Sequence, residues 1–150
     1  MENAIIVHGS PSKEKYYSQD YPSSSNFAWI PWLQKQLIIK DIKADTPEMP
    51  YAFNPNYDVW KKEFERYDIG ARTSLIGHSI GGAFILRWLS ENKNINVAKV
   101  ILVAPSVHTM NFEKEDFLDY KMDILLKKRT KDLVLFTSDT DSDLAKRNIE

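Results

Sequence analysis

The chain has 150 residues, of which 43% are apolar and 27% charged, and its formal net charge is −1. This length suits one domain with one core, and the composition excludes a disordered or coiled-coil protein. The near-neutral charge argues against nucleic acid or an anionic membrane as the main partner, and the lack of cysteine excludes disulfides and thiolate chemistry.

The amino terminus passes directly into a short apolar run, without the basic segment and longer apolar stretch of a secretory signal. No apolar run approaches the roughly 18 residues that a membrane span needs. We therefore expect a cytoplasmic protein that has no membrane partner.

The first 70 residues alternate short apolar runs with segments of helical spacing. Asn26 is the expected N-cap of the first long helix. In chain order the predicted elements are a strand over 4–8, a loop over 11–25, a helix from Asn26, a strand over 42–45, and a helix from residue 57 to near Gly70.

The rest of the chain continues the same alternation. In chain order it predicts a strand over 73–76, a helix over 81–92, a strand over 100–104, a helix over 113–128 and a strand over 133–137. No hairpin signal separates the strands, so the pattern predicts one doubly wound α/β domain over 1–150. Its sheet of about five mainly parallel strands carries helices on both faces in three α/β/α layers.

The most informative motif is Gly77-His78-Ser79-Ile80-Gly81, which lies between a predicted strand and a predicted helix. This order is typical of a nucleophile elbow, in which a strained turn presents a serine hydroxyl at the end of the sheet. The two glycines are expected because the turn leaves no room for a Cβ atom. Ser79 is therefore the candidate nucleophile.

A serine nucleophile needs a base, an acid that orients the base, and donors for the oxyanion. The acid should follow a later strand, where Asp141 is the first choice and Asp139 the second. The expected oxyanion donors are the backbone N–H groups of Ser10 and Ile80. Because ligands bind at the carboxyl ends of parallel strands, these loops should meet at one edge.

The three histidines offer no obvious base. His8 should support the loop after the first strand, and His78 should pack beside the sheet. His108 precedes the candidate acid, whereas the expected chain order is serine, acid, histidine. The histidines also form no metal-ligand pair, so no metal or other cofactor is expected. The four tryptophans follow helical stripes and are expected in the core: Trp29, Trp32, Trp60 and Trp88.

Taken together, these motifs resemble the small α/β-hydrolase family of retinoblastoma-binding protein 9 and the YdeN-like serine hydrolases. The likeness covers nearly the whole chain in order and spacing. It rests on Ile6-Val7-His8-Gly9, Trp29-x-x-Trp32-Leu33, Met49-Pro50, Trp60, the elbow, Ile85-Leu86-Arg87-Trp88-Leu89, Ile101-Leu102-Val103-Ala104 and Ser138-Asp139-Thr140-Asp141.

The resemblance implies an α/β-hydrolase fold, a Ser-Asp-His triad that includes Ser79 and Asp141, and hydrolysis of small carboxylic esters or amides. Family members continue beyond the acid with a helix, a strand and a turn that carries the histidine. We therefore expect that this chain lacks those elements and that it self-associates through the edge they would cover. The first hypothesis is an esterase-type serine hydrolase. The alternative is a catalytically impaired pseudo-hydrolase that serves as a protein-binding module.

Overall fold

A computed structural model describes residues 1–106 and 115–138 of the chain. These residues form a five-stranded sheet in the order β2-β1-β3-β4-β5, and every pair of neighbours is parallel. The strands are β1 (Asn3–Val7), β2 (Lys43–Asp45), β3 (Thr73–His78), β4 (Val97–Val103) and β5 (Thr130–Phe136). The predicted parallel α/β sheet is confirmed.

Helices cover both faces of this sheet, as predicted. The α-helices are α1 (Lys13–Tyr17), α2 (Ile30–Ile39), α3 (Tyr57–Phe64) and α4 (Ile80–Glu91). Alternate residues of β1 point to opposite faces, as the pleat of a strand requires. Ile5 and Val7 therefore join the core under α3 and α4, whereas Ala4 and Ile6 join a smaller core under α2.

The larger core is built around aromatic rings. Phe84 of α4 is fully buried, and its ring centroid lies 5.1 to 6.5 Å from those of four other aromatic residues. Those four residues are Tyr57, Trp60, Phe64 and Phe117. This cluster fixes α4 against the sheet, and α4 is the helix that begins at the candidate nucleophile.

The predicted start of the first long helix is wrong. Residues Ser24–Asn26 form only a 3₁₀ turn, and α2 begins at Ile30. Ala28 interrupts the helical path with a φ of 55°, and Pro31 lies in the first turn of α2, where its missing N–H costs no hydrogen bond. The predicted loop over 11–25 also contains the short helix α1, whose N-cap is Ser12.

The continuous helix predicted over 113–128 is also wrong within the described part of the chain. That part contains two 3₁₀ turns, Glu115–Leu118 and Leu126–Arg129. Between them, the N–H of Asp123 donates to the Ser90 hydroxyl of α4 at 3.0 Å, so a side chain replaces the helical hydrogen bond.

Arg129, the last residue of the second 3₁₀ turn, connects this region to α4. Its guanidinium donates to the carbonyls of Leu89 and Ile95 at 2.7 Å each, and to the Asp123 carboxylate at 2.8 Å. Leu89 carries one of the last four carbonyls of α4, which have no partner within the helix. The cation therefore stabilises the carboxyl end of α4.

The tryptophan prediction is partly right. Trp60 and Trp88 are buried, but Trp32 is 64% exposed on the outer side of α2. Trp29 is half-buried beside the carboxyl edge of the sheet, where it lines a cavity.

Candidate active site

Ser79 occupies the junction between β3 and α4. Its backbone has φ 53° and ψ −120°, a conformation that is rare for a residue with a side chain and costs about 1 to 3 kcal/mol. Hydrogen bonds hold it on both sides: its N–H donates to the Val103 carbonyl at 2.9 Å, and its carbonyl accepts from the N–H groups of Gly82 and Ser106. The strained serine turn therefore has the local geometry of a nucleophile elbow.

The two elbow glycines are required by close approach of backbones. A Cβ at Gly77 would lie 2.5 Å from the Cα of Gly82, and a Cβ at Gly81 would overlap the carbonyl oxygens of Val7 and His8. Gly77 thus lets α4 approach the end of β3, and Gly81 lets α4 approach the end of β1. Neither glycine has a positive φ, so space and not backbone freedom is the reason for both.

The loop after β1, residues 8–12 (the first loop), lies directly beside Ser79. A Cβ placed on Gly9 would be 3.3 Å from the Cβ of Ser79. The Ser10 hydroxyl donates to the Ala52 carbonyl at 2.5 Å and so fixes this loop against the residues before α3. The structure therefore brings the two predicted donor segments, the first loop and the start of α4, to the same edge of the sheet.

The two predicted oxyanion donors, the N–H groups of Ser10 and Ile80, differ from most backbone groups around them. Within residues 1–106 and 115–138, the N–H groups of Ser10 and Ile80 donate no hydrogen bond. Ile80 is the first residue of α4, where a backbone N–H has no partner inside the helix and carries the positive end of the helix dipole. Such an N–H is suited to stabilise a negative oxygen.

Ser106 is a site neighbour that the sequence reasoning missed. Its hydroxyl oxygen lies 3.1 Å from the Ser79 hydroxyl oxygen, and the residue is buried, with 4% of its surface exposed. The signal was present in principle, because Ser106 follows β4 and β4 ends at the same sheet edge as β3.

His8 supports the first loop, as expected. Its Nδ1 donates to the Gly9 carbonyl at 2.7 Å, and its Nε2 accepts from the Met49 N–H at 2.8 Å. Burial lowers the pKa of His8, although the Gly9 carbonyl and the Glu48 carboxylate oppose that shift. Both ring nitrogens of this neutral histidine therefore bond to the backbone, and its ring is not placed to take a proton from Ser79.

A cavity of about 570 Å³ opens beside the first loop and His78. The ring of His78 packs edge-on against the ring of Trp29, and the two ring centroids are 5.7 Å apart. This agrees with the prediction that His78 packs beside the sheet. Aromatic side chains supply much of the wall, namely Tyr16, Tyr21, Phe27 and Trp29. The volume falls in the usual range for small-molecule sites.

The predicted acid Asp141, its alternative Asp139, and His108 lie outside the described residues. β5 ends at Phe136, beside the end of β4 that carries Ser106. Over the described ranges, no helix is long and apolar enough to cross a membrane, and no three acidic or histidine side chains form a metal-binding group.

Comparison with known proteins decides the family. A family profile described as serine hydrolase matches residues 19–142, which is most of the chain. The chain belongs to the serine hydrolase family. The elbow geometry described above lies inside the matched range.

A curated relative, "Putative hydrolase YdeN" of Bacillus subtilis (strain 168), is 34% identical over 82 residues. That match covers 53% of this chain and 43% of YdeN, so it spans less than half the length of the relative. The crystal structure of the ydeN gene product from B. subtilis superposes with a TM-score of 0.70 at 24% identity. It covers 90% of this chain and 70% of that one, which establishes a shared fold.

Proposed function

We propose that this member of the serine hydrolase family hydrolyses small carboxylic esters or amides, with Ser79 as the nucleophile. The observation that carries the proposal is the strained conformation of Ser79 at the start of α4, beside the first loop. In the proposed reaction, Ser79 Oγ attacks the carbonyl carbon, and the N–H groups of Ile80 and Ser10 hold the oxyanion. The leaving group departs with a proton, and water then releases the acid from the acyl-serine.

The proposed base is a histidine oriented by Asp141, and none of the described histidines suits that role. His8 is bonded through both ring nitrogens, and His78 packs against Trp29. The family order serine, acid, histidine places the base after Asp141, and no histidine follows Asp141 in these 150 residues. A histidine contributed from outside these 150 residues therefore belongs to the proposal.

The cavity beside the first loop has a size suited to a small substrate, although Ser79 itself does not line it. Its aromatic wall meets the first loop at Gly9 and Ser10, the loop that carries one of the two proposed oxyanion donors. An ester whose carbonyl oxygen reaches the Ser10 N–H can place its acyl or alcohol group in this cavity. Aromatic and apolar surfaces hold such groups through burial and ring contacts.

Fluorophosphonate labelling tests the proposal. We expect wild-type protein in which the proposed histidine is present to gain one adduct, which mass spectrometry of the digested protein assigns to Ser79. The Ser79→Ala variant should not be labelled, and Ser74→Ala, on the same strand β3, should be labelled like the wild type. A wild-type protein that remains unlabelled, or an adduct that persists in Ser79→Ala, would contradict the assignment of Ser79.

The alternative is a non-catalytic binding module that keeps the fold. The engagement of both His8 nitrogens favours it, because no described histidine is available to activate Ser79. The same experiment separates the two functions, since only an activated serine reacts with the probe. An unlabelled, folded wild-type protein would favour the binding module.

A further inference from the structure

The hydroxyl of Ser106 is the side-chain group that contacts the oxygen of the candidate nucleophile within the described residues. The two oxygens are 3.1 Å apart, and Ser106 is buried. We propose that Ser106 is a positioning residue, whose hydroxyl donates to Ser79 Oγ and holds that oxygen in the orientation for attack. This inference rests on the proposed function, because it assigns a role in the reaction of Ser79.

The placement of Ser106 is built into the backbone. The end of β4 and the residues 104–106 that follow it (the β4 loop) are tied to Ser79 at two further points: Ser79 donates its N–H to the Val103 carbonyl at 2.9 Å, and Ser106 donates its N–H to the Ser79 carbonyl at 3.1 Å. These bonds set the distance between the two serines independently of their hydroxyl groups. The fold therefore holds the two serine side chains within reach of each other.

Packing around the β4 loop supports the same arrangement. Ala104 has a φ of 43°, which turns the chain sharply at the end of β4, and its N–H donates to the Phe136 carbonyl of β5 at 2.9 Å. Pro105 then packs on α4, where a Cβ added at Gly82 would lie 3.1 Å from the proline Cβ. A strained residue and a close helix contact thus direct Ser106 toward the elbow.

The direction of the hydrogen bond follows from what a nucleophile needs. A serine hydroxyl has one proton and two lone pairs. If Ser106 donates into one lone pair, the Ser79 proton stays available for the base and the second lone pair for the carbonyl carbon. The reverse arrangement would commit the proton of Ser79 to Ser106 and oppose its transfer to a base. A donor on Oγ also stabilises the negative charge that develops there as the proton leaves.

The test compares rates of fluorophosphonate labelling across pH in wild type, Ser106→Ala and Ser106→Thr. We expect Ser106→Ala to label roughly fivefold more slowly, the usual effect of one lost hydrogen bond, and to need higher pH for the same rate. Ser106→Thr keeps the hydroxyl and should restore both the rate and the pH profile. Ser74→Ala is the matched control and should behave like the wild type.

Each outcome decides the matter. If wild type is labelled and Ser106→Ala matches it in rate and pH profile, the role of Ser106 is refuted while Ser79 stands. If Ser106→Thr melts at a lower temperature than wild type, we use Ser106→Cys in its place. Cysteine has a shape similar to that of serine, but its S–H group is a weaker hydrogen-bond donor. A Ser106→Cys rate equal to wild type would then refute the inference, and a slower rate with an unchanged melting temperature would support it. An unlabelled wild type would refute the proposed function and this inference with it.

Discussion

β3, the strand that ends directly before Ser79, and β5, one of the two outermost described strands, differ in how far their side chains are buried. β3 is central and pairs with β1 and β4, and its residues are buried or half-buried. Among the described residues β5 pairs only with β4, and it leaves Leu133, Leu135 and Phe136 exposed by 42%, 44% and 57%. The same kind of apolar run therefore forms a core strand in one place and an edge strand in the other.

This difference explains where the strained residue can exist. Ser79 keeps a positive φ because strand pairing on both sides, α4 and the β4 loop all fix its position. Strain of about 1 to 3 kcal/mol persists only where the surroundings enforce it. β5 contributes backbone hydrogen bonds but little side-chain burial, and the described residues at its end include none with a positive φ.

Two phenylalanines test the contrast most strongly. Phe84 is fully buried and Phe136 is 57% exposed. Replacing Phe84 with alanine should lower the free energy of unfolding by about 3 to 5 kcal/mol, because it removes a ring from the aromatic cluster. Phe136→Ala should change it by about 0.5 kcal/mol or less. Urea unfolding measures both, and similar losses for the two variants would refute the contrast.

Two glycines test the close packing at the elbow. A Cβ at Gly81 meets the backbone of β1, whereas a Cβ at Gly70 meets no atom within 4 Å. Gly81→Ala should cost about 3 kcal/mol, the upper end of the usual cost of overpacking, and should also slow labelling of Ser79. Gly70→Ala should stay within about 1 kcal/mol of wild type and label normally. Equal stability of the two variants would show that the elbow tolerates a Cβ.

The succession of strands along the chain was predictable, and so was the elbow. A buried parallel strand needs a continuous apolar run, and each of the five predicted strands is present, although β2 (Lys43–Asp45) is short and mostly polar. The elbow was readable because its serine and glycines stand at fixed positions in the chain. Its chemical role stays a prediction, and so does the assignment of Asp141 as the acid.

The errors have local physical causes. The spacing of Phe27, Ile30 and Leu33 suggests an early helix, but helical spacing cannot reveal the positive φ of Ala28. The residue 113–128 segment has helical spacing as well, yet the Ser90 hydroxyl captures the N–H of Asp123 from another element. Ser106 was missed because its contact with Ser79 depends on how close the ends of β3 and β4 come, which the local sequence does not reveal.

The exposed side of β5 is the surface through which we expect the protein to self-associate. Leu133 and Leu135 lie on the same side of an edge strand, and such edges pair with copies of themselves. We expect the protein to associate, and Leu133→Lys with Leu135→Lys to abolish the association without lowering the melting temperature. Ile39→Lys changes an apolar residue at the end of α2 that is even more exposed, and it should leave the association intact. Sedimentation velocity measures the result, and a monomeric wild type would disprove the proposal.

The smallest effect concerns the histidine beneath the first loop. Burial lowers the pKa of His8 in the folded state, and its Nε2 must stay unprotonated to accept the Met49 N–H. As pH falls below about 6.5, the unfolded chain binds a proton that the folded chain resists, so the free energy of unfolding should decrease. In His8→Gln, where the amide oxygen can accept the Met49 N–H at any pH, this part of the pH dependence should disappear. Urea unfolding at pH 8 and pH 5.5 measures the free energy of unfolding of both proteins. Every other titrating group is common to the two. Equal decreases in the free energy of unfolding between these pH values would therefore mean that His8 is not held in its neutral form.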